Sequence, residues 1–217
     1  MSTCLCICSG ALLIGGLIGG CSAGQPIRVL RPNETQLTAS LGGPVVPSSS
    51  PVKIIPYVTV GIMHGVTEEV TLHGNLHALL LAFGTAGIDV GASGRIVRQD
   101  GALPEMTIGL RTILFTDFSS IANSRIYPNA SIIASWEIQK AWLVYAGTHA
   151  TVQLSDARVF VSPMIGTQVP ASERIFVQAE FIWQAANVVT TSGLFRGESS
   201  IGGQGSIGMF VGVGLKL

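Results

Sequence analysis

His73 and His77 lie four residues apart, and a histidine pair at that spacing binds zinc when it shares one face of a helix. The residues around them deny a helix. Val70, Leu72, Gly74 and Leu76 fall on one face and Thr71, His73, Asn75 and His77 on the other, which is the two-residue period of a strand. On a strand the two imidazoles stand about 13 Å apart, too far to share one ion. They read as polar lining residues. His64 and His149 have no nucleophile and acid at a spacing that marks a hydrolase, and no Gly-x-Ser-x-Gly elbow occurs. The glycine-rich runs 84–94 and 202–214 carry no Gly-Lys-Ser/Thr sequence and open no helix, so they are not phosphate loops. The chain is expected not to be an enzyme and to use no cofactor and no metal.

The charged residues suggest a different role. Asp89, Arg95, Arg111, Asp117, Glu137 and Glu180 all fall on the less apolar faces of strand-like stretches. Around Asp89 the split is clear: Ile88, Val90, Ala92 and Ile96 share one side, and Asp89, Gly91, Ser93 and Arg95 the other. A basic residue turned to lipid at the bilayer midplane costs about 2–4 kcal/mol, so these charges are expected to point inward. There they would form a lumen charge network in which the four carboxylates neutralise Arg95 and Arg111. The outward set, with Ile88, Val90, Ile108, Ile132 and Val211, would meet lipid. Serine on the inward face, at Gly91 for instance, is expected to be mild.

The elements that must position these residues are short alternating strands. They run near 34–41, 54–64, 70–77, 88–96, 106–116, 127–138, 141–152, 158–167, 174–186 and 205–217. Longer connections near 42–53, 78–85, 118–125, 153–157 and 187–204 alternate with tight ones near 65–68, 99–102, 139–140 and 169–172. About ten strands with this rhythm predict an all-β, antiparallel, up-and-down transmembrane β-barrel with both termini on the periplasmic side. A soluble, surface-tethered β-barrel or sandwich that binds an apolar ligand also alternates, and it is the competing reading.

A resemblance supports the membrane reading. Gly65-Val66-Thr67-Glu68-Glu69-Val70-Thr71-Leu72 resembles a turn-and-strand element that recurs in bacterial outer-membrane β-barrel proteins. Together with Leu41-Gly42-Gly43-Pro44, His73-Gly74-Asn75-Leu76-His77, Ala82-Phe83-Gly84 and Gly87-Ile88-Asp89-Val90-Gly91, it resembles uncharacterised outer-membrane lipoproteins of the Bacteroidetes kind. The resemblance covers roughly residues 41–98. It implies a barrel and an outer-membrane location, and no catalytic residues.

The start of the chain fits that address. An apolar and glycine-rich run, 11–20, has the length of a signal-peptide core and is too short to span a membrane. It ends Leu17-Ile18-Gly19-Gly20-Cys21, which resembles a bacterial lipobox. No Lys or Arg precedes it, a departure from the usual signal. The expected organisation is therefore a lipoprotein signal peptide at 1–20, a lipidated tether at 21–33 beginning with Cys21, and a barrel at 34–217. Cys4, Cys6, Cys8 and Cys21 are all the cysteines, so no disulfide would hold the mature domain. Charged residues make up 11% of the chain, under half the roughly 25% of soluble domains. The mean hydropathy of +0.53 points the same way. Net charge is zero and the basic residues are scattered, which argues against nucleic acid as a partner and leaves membrane lipid.

Overall fold

The computed structural model describes residues 24–46, 53–54, 57–189 and 200–217. Residues 1–20, expected to be a signal peptide, and Cys21 lie outside the described residues.

Strand period dictates the fold. β1 (Thr35–Val46), β3 (Tyr57–Gly65), β4 (Val70–Leu76), β5 (Thr85–Val97), β6 (Glu105–Asp117), β7 (Ser120–Gln139), β8 (Trp142–Gln153), β9 (Arg158–Pro170), β10 (Ile175–Val189) and β11 (Gln204–Lys216) each pair antiparallel with their sequence neighbours. The ring closes where β11 meets β1, from Gln36 opposite Lys216 to Pro44 opposite Gly208. The protein is thus a closed ten-stranded antiparallel barrel. A two-residue strand, β2 (Lys53–Ile54), adds to the end of β1 outside the ring. One helical turn, α1 (Ala78–Leu81), lies between β4 and β5 and buries Leu80.

The barrel is apolar outside and largely polar inside. Val90 is 61% exposed and Leu110 64%, whereas Thr71 and Ser135 are fully buried. Ile88, Ile108, Ile132 and Val211 are also exposed, as the alternation predicted. A closed ring leaves no unpaired strand edge, the condition for backbone to sit in hydrocarbon. A soluble barrel that binds an apolar ligand would carry the opposite polarity.

Two predicted loops are partly strand. Residues 42–46 continue β1, because Gly42, Gly43 and Pro44 still pair with β11 despite their loop-like composition. Residues 120–125 belong to β7, and Phe118 and Ser119 alone turn the chain. Their polar run, Asn123-Ser124-Arg125, misleads because it lies near the end of the 20-residue β7, where neither face has to be apolar.

Inward glycines make room for large side chains on neighbouring strands. A methyl on Gly166 would stand 2.3 Å from the Tyr145 hydroxyl oxygen, and one on Gly91 would stand 2.5 Å from Cβ of Arg111. These glycines let Tyr145 and Arg111 lie flat across the inner wall.

Candidate functional site

The lumen is occupied by the chain itself. Residues 24–31, read from the sequence as the end of a tether, turn back inside the barrel from the end where the tight turns lie. Leu30 N donates to Thr71 Oγ1 at 2.8 Å. Arg28 reaches Ser135 Oγ through Nε at 2.9 Å, Glu137 at 3.3 Å and the Gln99 side chain. Ile27 is buried, and Gln25 Nε2 donates to Ser131 Oγ. Gly24 O accepts from Asn75 Nδ2 at 3.1 Å. From Thr71 to Asn75 the segment climbs four residues of wall, about 13 Å of strand. It is an internal strap, held by side chains of β4, β7 and the β5–β6 turn. No strand period marks it, because its partners are side chains rather than a ladder.

Above Gln25 lies a polar belt. The register sets His73, Gly91, Arg111, Asn129 and Thr151 side by side on five consecutive strands. Arg111 is 6% exposed and donates through Nε to Asn129 Oδ1 at 3.1 Å, and Asn129 Nδ2 donates to Thr151 Oγ1 at 2.7 Å. Arg111 Nη1, both ring nitrogens of His73 and Nδ1 of His149 are buried without a hydrogen-bond partner among the described residues.

Nearer the long loops, the Tyr57 hydroxyl meets His77 Nδ1, and His77 Nε2 stands 3.1 Å from Asp89 Oδ2. Asn75 Nδ2 donates to the other carboxylate oxygen at 2.8 Å. Ring contacts run on from His77 to Phe115 at 5.3 Å and from Phe115 to Tyr127 at 6.0 Å between centroids. The lining here is therefore aromatic as well as polar. Ile113 and Phe115, apolar residues on the inward face of β6, are fully or nearly fully buried within it.

The six charges expected to form one network have six separate sets of partners. Asp89 pairs with His77, and Arg111 bonds Asn129. Arg95 meets Glu69 at 2.9 Å and Glu105 at 3.8 Å. Glu137 meets Arg28 of the strap and accepts from Ala141 N at 2.8 Å. Glu180 accepts from the Tyr145 hydroxyl at 3.0 Å. Asp117 sits at the β6–β7 turn and accepts from Ser119 N at 2.7 Å. Of the six, the ion-pair distances join none to another. Glu69, Glu105 and Arg28 are the partners that the sequence did not reveal, since they lie on the β3–β4 turn, on β6 and on the strap.

The tight-turn mouth is the most charged region. Arg98 bridges Glu68 at 3.1 Å and Glu69 at 2.5 Å, beside the Arg95–Glu69 pair. Hydrogen bonds from Arg95 and Arg98 hold the Glu69 carboxyl at about 2, below its ordinary 4.5. A cavity of about 610 Å³ opens here, lined by Arg28, Arg95, Arg98, Glu105, Glu137 and Lys140 among others. Among the described residues no group of three His, Cys, Asp or Glu side chains is placed to hold a metal ion.

Known structures share this architecture. The translocator domain of the autotransporter NalP from Neisseria meningitidis is 12% identical, covering 97% of this chain and 95% of its own, with a TM-score of 0.45. An outer-membrane channel from Pseudomonas putida F1 is 8% identical, covering 89% of this chain and 99% of its own, with a TM-score of 0.51. At that identity the likeness is one of fold, an outer-membrane β-barrel. The expectation that the chain is not an enzyme is corrected here. The comparison also returns OmpT of Vibrio cholerae, an outer-membrane protein, at 9% identity over 82% of this chain and 64% of that one, with a TM-score of 0.32. A barrel fold by itself decides neither for nor against catalysis, so absence of activity is not carried forward. No protein-family model matches the chain, and no curated protein does.

Proposed function

We propose that this outer-membrane barrel is a passage for small polar solutes that its own amino-terminal strap closes. The strap carries the reading. Its anchors on the wall are mainly hydrogen bonds between single polar side chains and a segment with no ladder of its own, and such contacts contribute about 0.5–1.5 kcal/mol each. A few such contacts make a closure that can leave without unfolding the ring. The polar inner wall behind it is suited to hydrated solutes, and the apolar outer wall to lipid.

The anchor belongs to the same proposal. Removal of residues 1–20 and lipidation of Cys21 would tie the chain to the membrane through its tether at 21–33, as the Leu17–Cys21 motif and the resemblance to Bacteroidetes-type lipoproteins suggest.

Planar-bilayer recording tests the closure. The unmutated chain, refolded without a lipid on Cys21, is expected to conduct rarely and briefly, and the double variant Gln25→Ala/Arg28→Ala, prepared in the same way, to stay open longer. A large steady conductance in the unmutated protein would show that the strap does not close the lumen. Silence in both proteins would favour a purely structural barrel.

A further inference from the structure

The geometry points to an anion subsite in the belt above the strap, formed by Arg111 with His73 and His149, that takes an oxyanion of the carboxylate or phosphate type. This rests on the reading of the barrel as a strap-closed passage. Arg111 is a permanently charged group, almost wholly buried, and no carboxylate lies within ion-pair distance of it among the described residues. A buried guanidinium with no carboxylate in direct contact is costly, and its forked donors suit two oxygens of one anion. Nε is engaged by Asn129, while Nη1 has no partner.

The neighbouring groups complete a donor set. His73 Nε2 hangs over Gly91, whose absent side chain leaves it beside Arg111. Arg111 lies within electrostatic reach of His73, His149 and Asp89. Asp89 opposes an anion, but His77 and Asn75 already occupy its two oxygens. His149 Nε2 faces Met164 Sδ at 3.1 Å and leaves Nδ1 unpartnered.

The strap explains why these donors are closed off. Gln25 Nε2 lies over Gly109, next to Ser131 and Ser93 in the row below Arg111. Ser93 Oγ is itself buried without a partner among the described residues. Release of the strap would bare Arg111 and give it an approach from the tight-turn mouth, past Arg95 and Arg98 and the carboxylates Glu69 and Glu105 that pair with them.

The test uses the full chain carrying Gln25→Ala/Arg28→Ala, with and without Arg111→Gln, each checked for heat-modifiable migration. The reversal potential in a potassium chloride gradient reads selectivity, and equilibrium dialysis in detergent reads binding of inorganic phosphate and, separately, of acetate. Openings should prefer chloride over potassium, and Arg111→Gln should remove the preference. It should also weaken binding about tenfold, the loss expected for one charge-assisted hydrogen bond. Saturable binding of phosphate alone, or of acetate alone, would tell which oxyanion the subsite takes. If Arg111→Gln does not fold, Arg111→Lys keeps the charge and removes the fork, and it should retain chloride preference with weaker phosphate binding. Openings that prefer potassium, or that ignore Arg111, overturn the subsite and leave the passage standing. Arg111-dependent binding without any conductance upholds the subsite and overturns the passage, whereas neither binding nor conductance overturns both.

Discussion

Asn75 Nδ2 donates at once to the barrel wall and to the strap, to Asp89 Oδ1 at 2.8 Å and to Gly24 O at 3.1 Å. One amide therefore couples the His77–Asp89 pair to the deepest described point of the amino-terminal segment. Removing it deprives a buried carboxylate and a buried carbonyl of their donor, which costs about 1–3 kcal/mol.

Asn75→Ala is accordingly expected to loosen the strap. Arg28 offers trypsin a cleavage site that the protease cannot reach inside the lumen, so cutting there follows the population of the released strap. Cleavage after Arg28 should speed up by about tenfold in the variant. An unchanged rate would show that Gly24 is held by something other than Asn75.

The outer wall makes a second prediction. Val90 and Ile132 face outward on β5 and β7, and arginine at either should cost about 2–4 kcal/mol if near the midplane. Gly212→Ser is the mild inward control, since the nearest atom to its new Cβ is 3.3 Å away. Gly91→Ser is not mild, contrary to the inside–outside rule alone, because its Cβ would crowd Arg111 Cβ and Leu110 O at 2.5 Å. Urea unfolding in detergent micelles should rank Gly212→Ser above the other three in stability. Equal tolerance at Val90 and Gly212 would contradict the assignment of faces.

The contrast between Gly91 and Gly212 shows what the sequence could disclose. Which face a residue takes follows from period two, so Val90 outside and Asp89 inside were legible one residue at a time. What a side chain touches follows from register, which local sequence does not carry. His77 therefore read as a lining residue rather than the partner of Asp89, and Arg95 seemed destined for acids it does not meet. The strap escaped notice for a related reason: residues 24–31 have no period, and their partners Asn75, Ser131 and Ser135 are distant in sequence.

The tight-turn mouth should respond to acid. Glu69 in the folded chain titrates at about 2 against an ordinary 4.5 because Arg95 and Arg98 stabilise its charged form. A group whose folded pKa is depressed contributes stability above its unfolded pKa and loses it as pH falls towards the folded one. The contribution should therefore fade between about pH 4.5 and 2. Glu69→Gln should flatten the stability profile across that window and leave the order at lower pH unchanged. A variant whose acid profile overlays the parent would show that the cluster is not coupled to folding.

The proposed lipid on Cys21 and the strap would constrain one another. Gly24 is fixed beside Asn75, and a fully extended link of three residues reaches only about 10 Å. That is shorter than the roughly 13 Å of strand from Asn75 back to Thr71, which still lies inside the ring. A lipid on Cys21 that enters the bilayer at the tight-turn end would therefore have to draw the strap out of its seat. The proposed lipidation would then favour the released state, and Cys21→Ala should do two things together. It should abolish fatty-acid labelling, and it should slow trypsin cleavage after Arg28, because the unanchored strap seats more fully. Equal labelling of parent and variant would sink the anchor itself. Loss of labelling with no change in cleavage would keep the anchor and show that it does not compete with the strap.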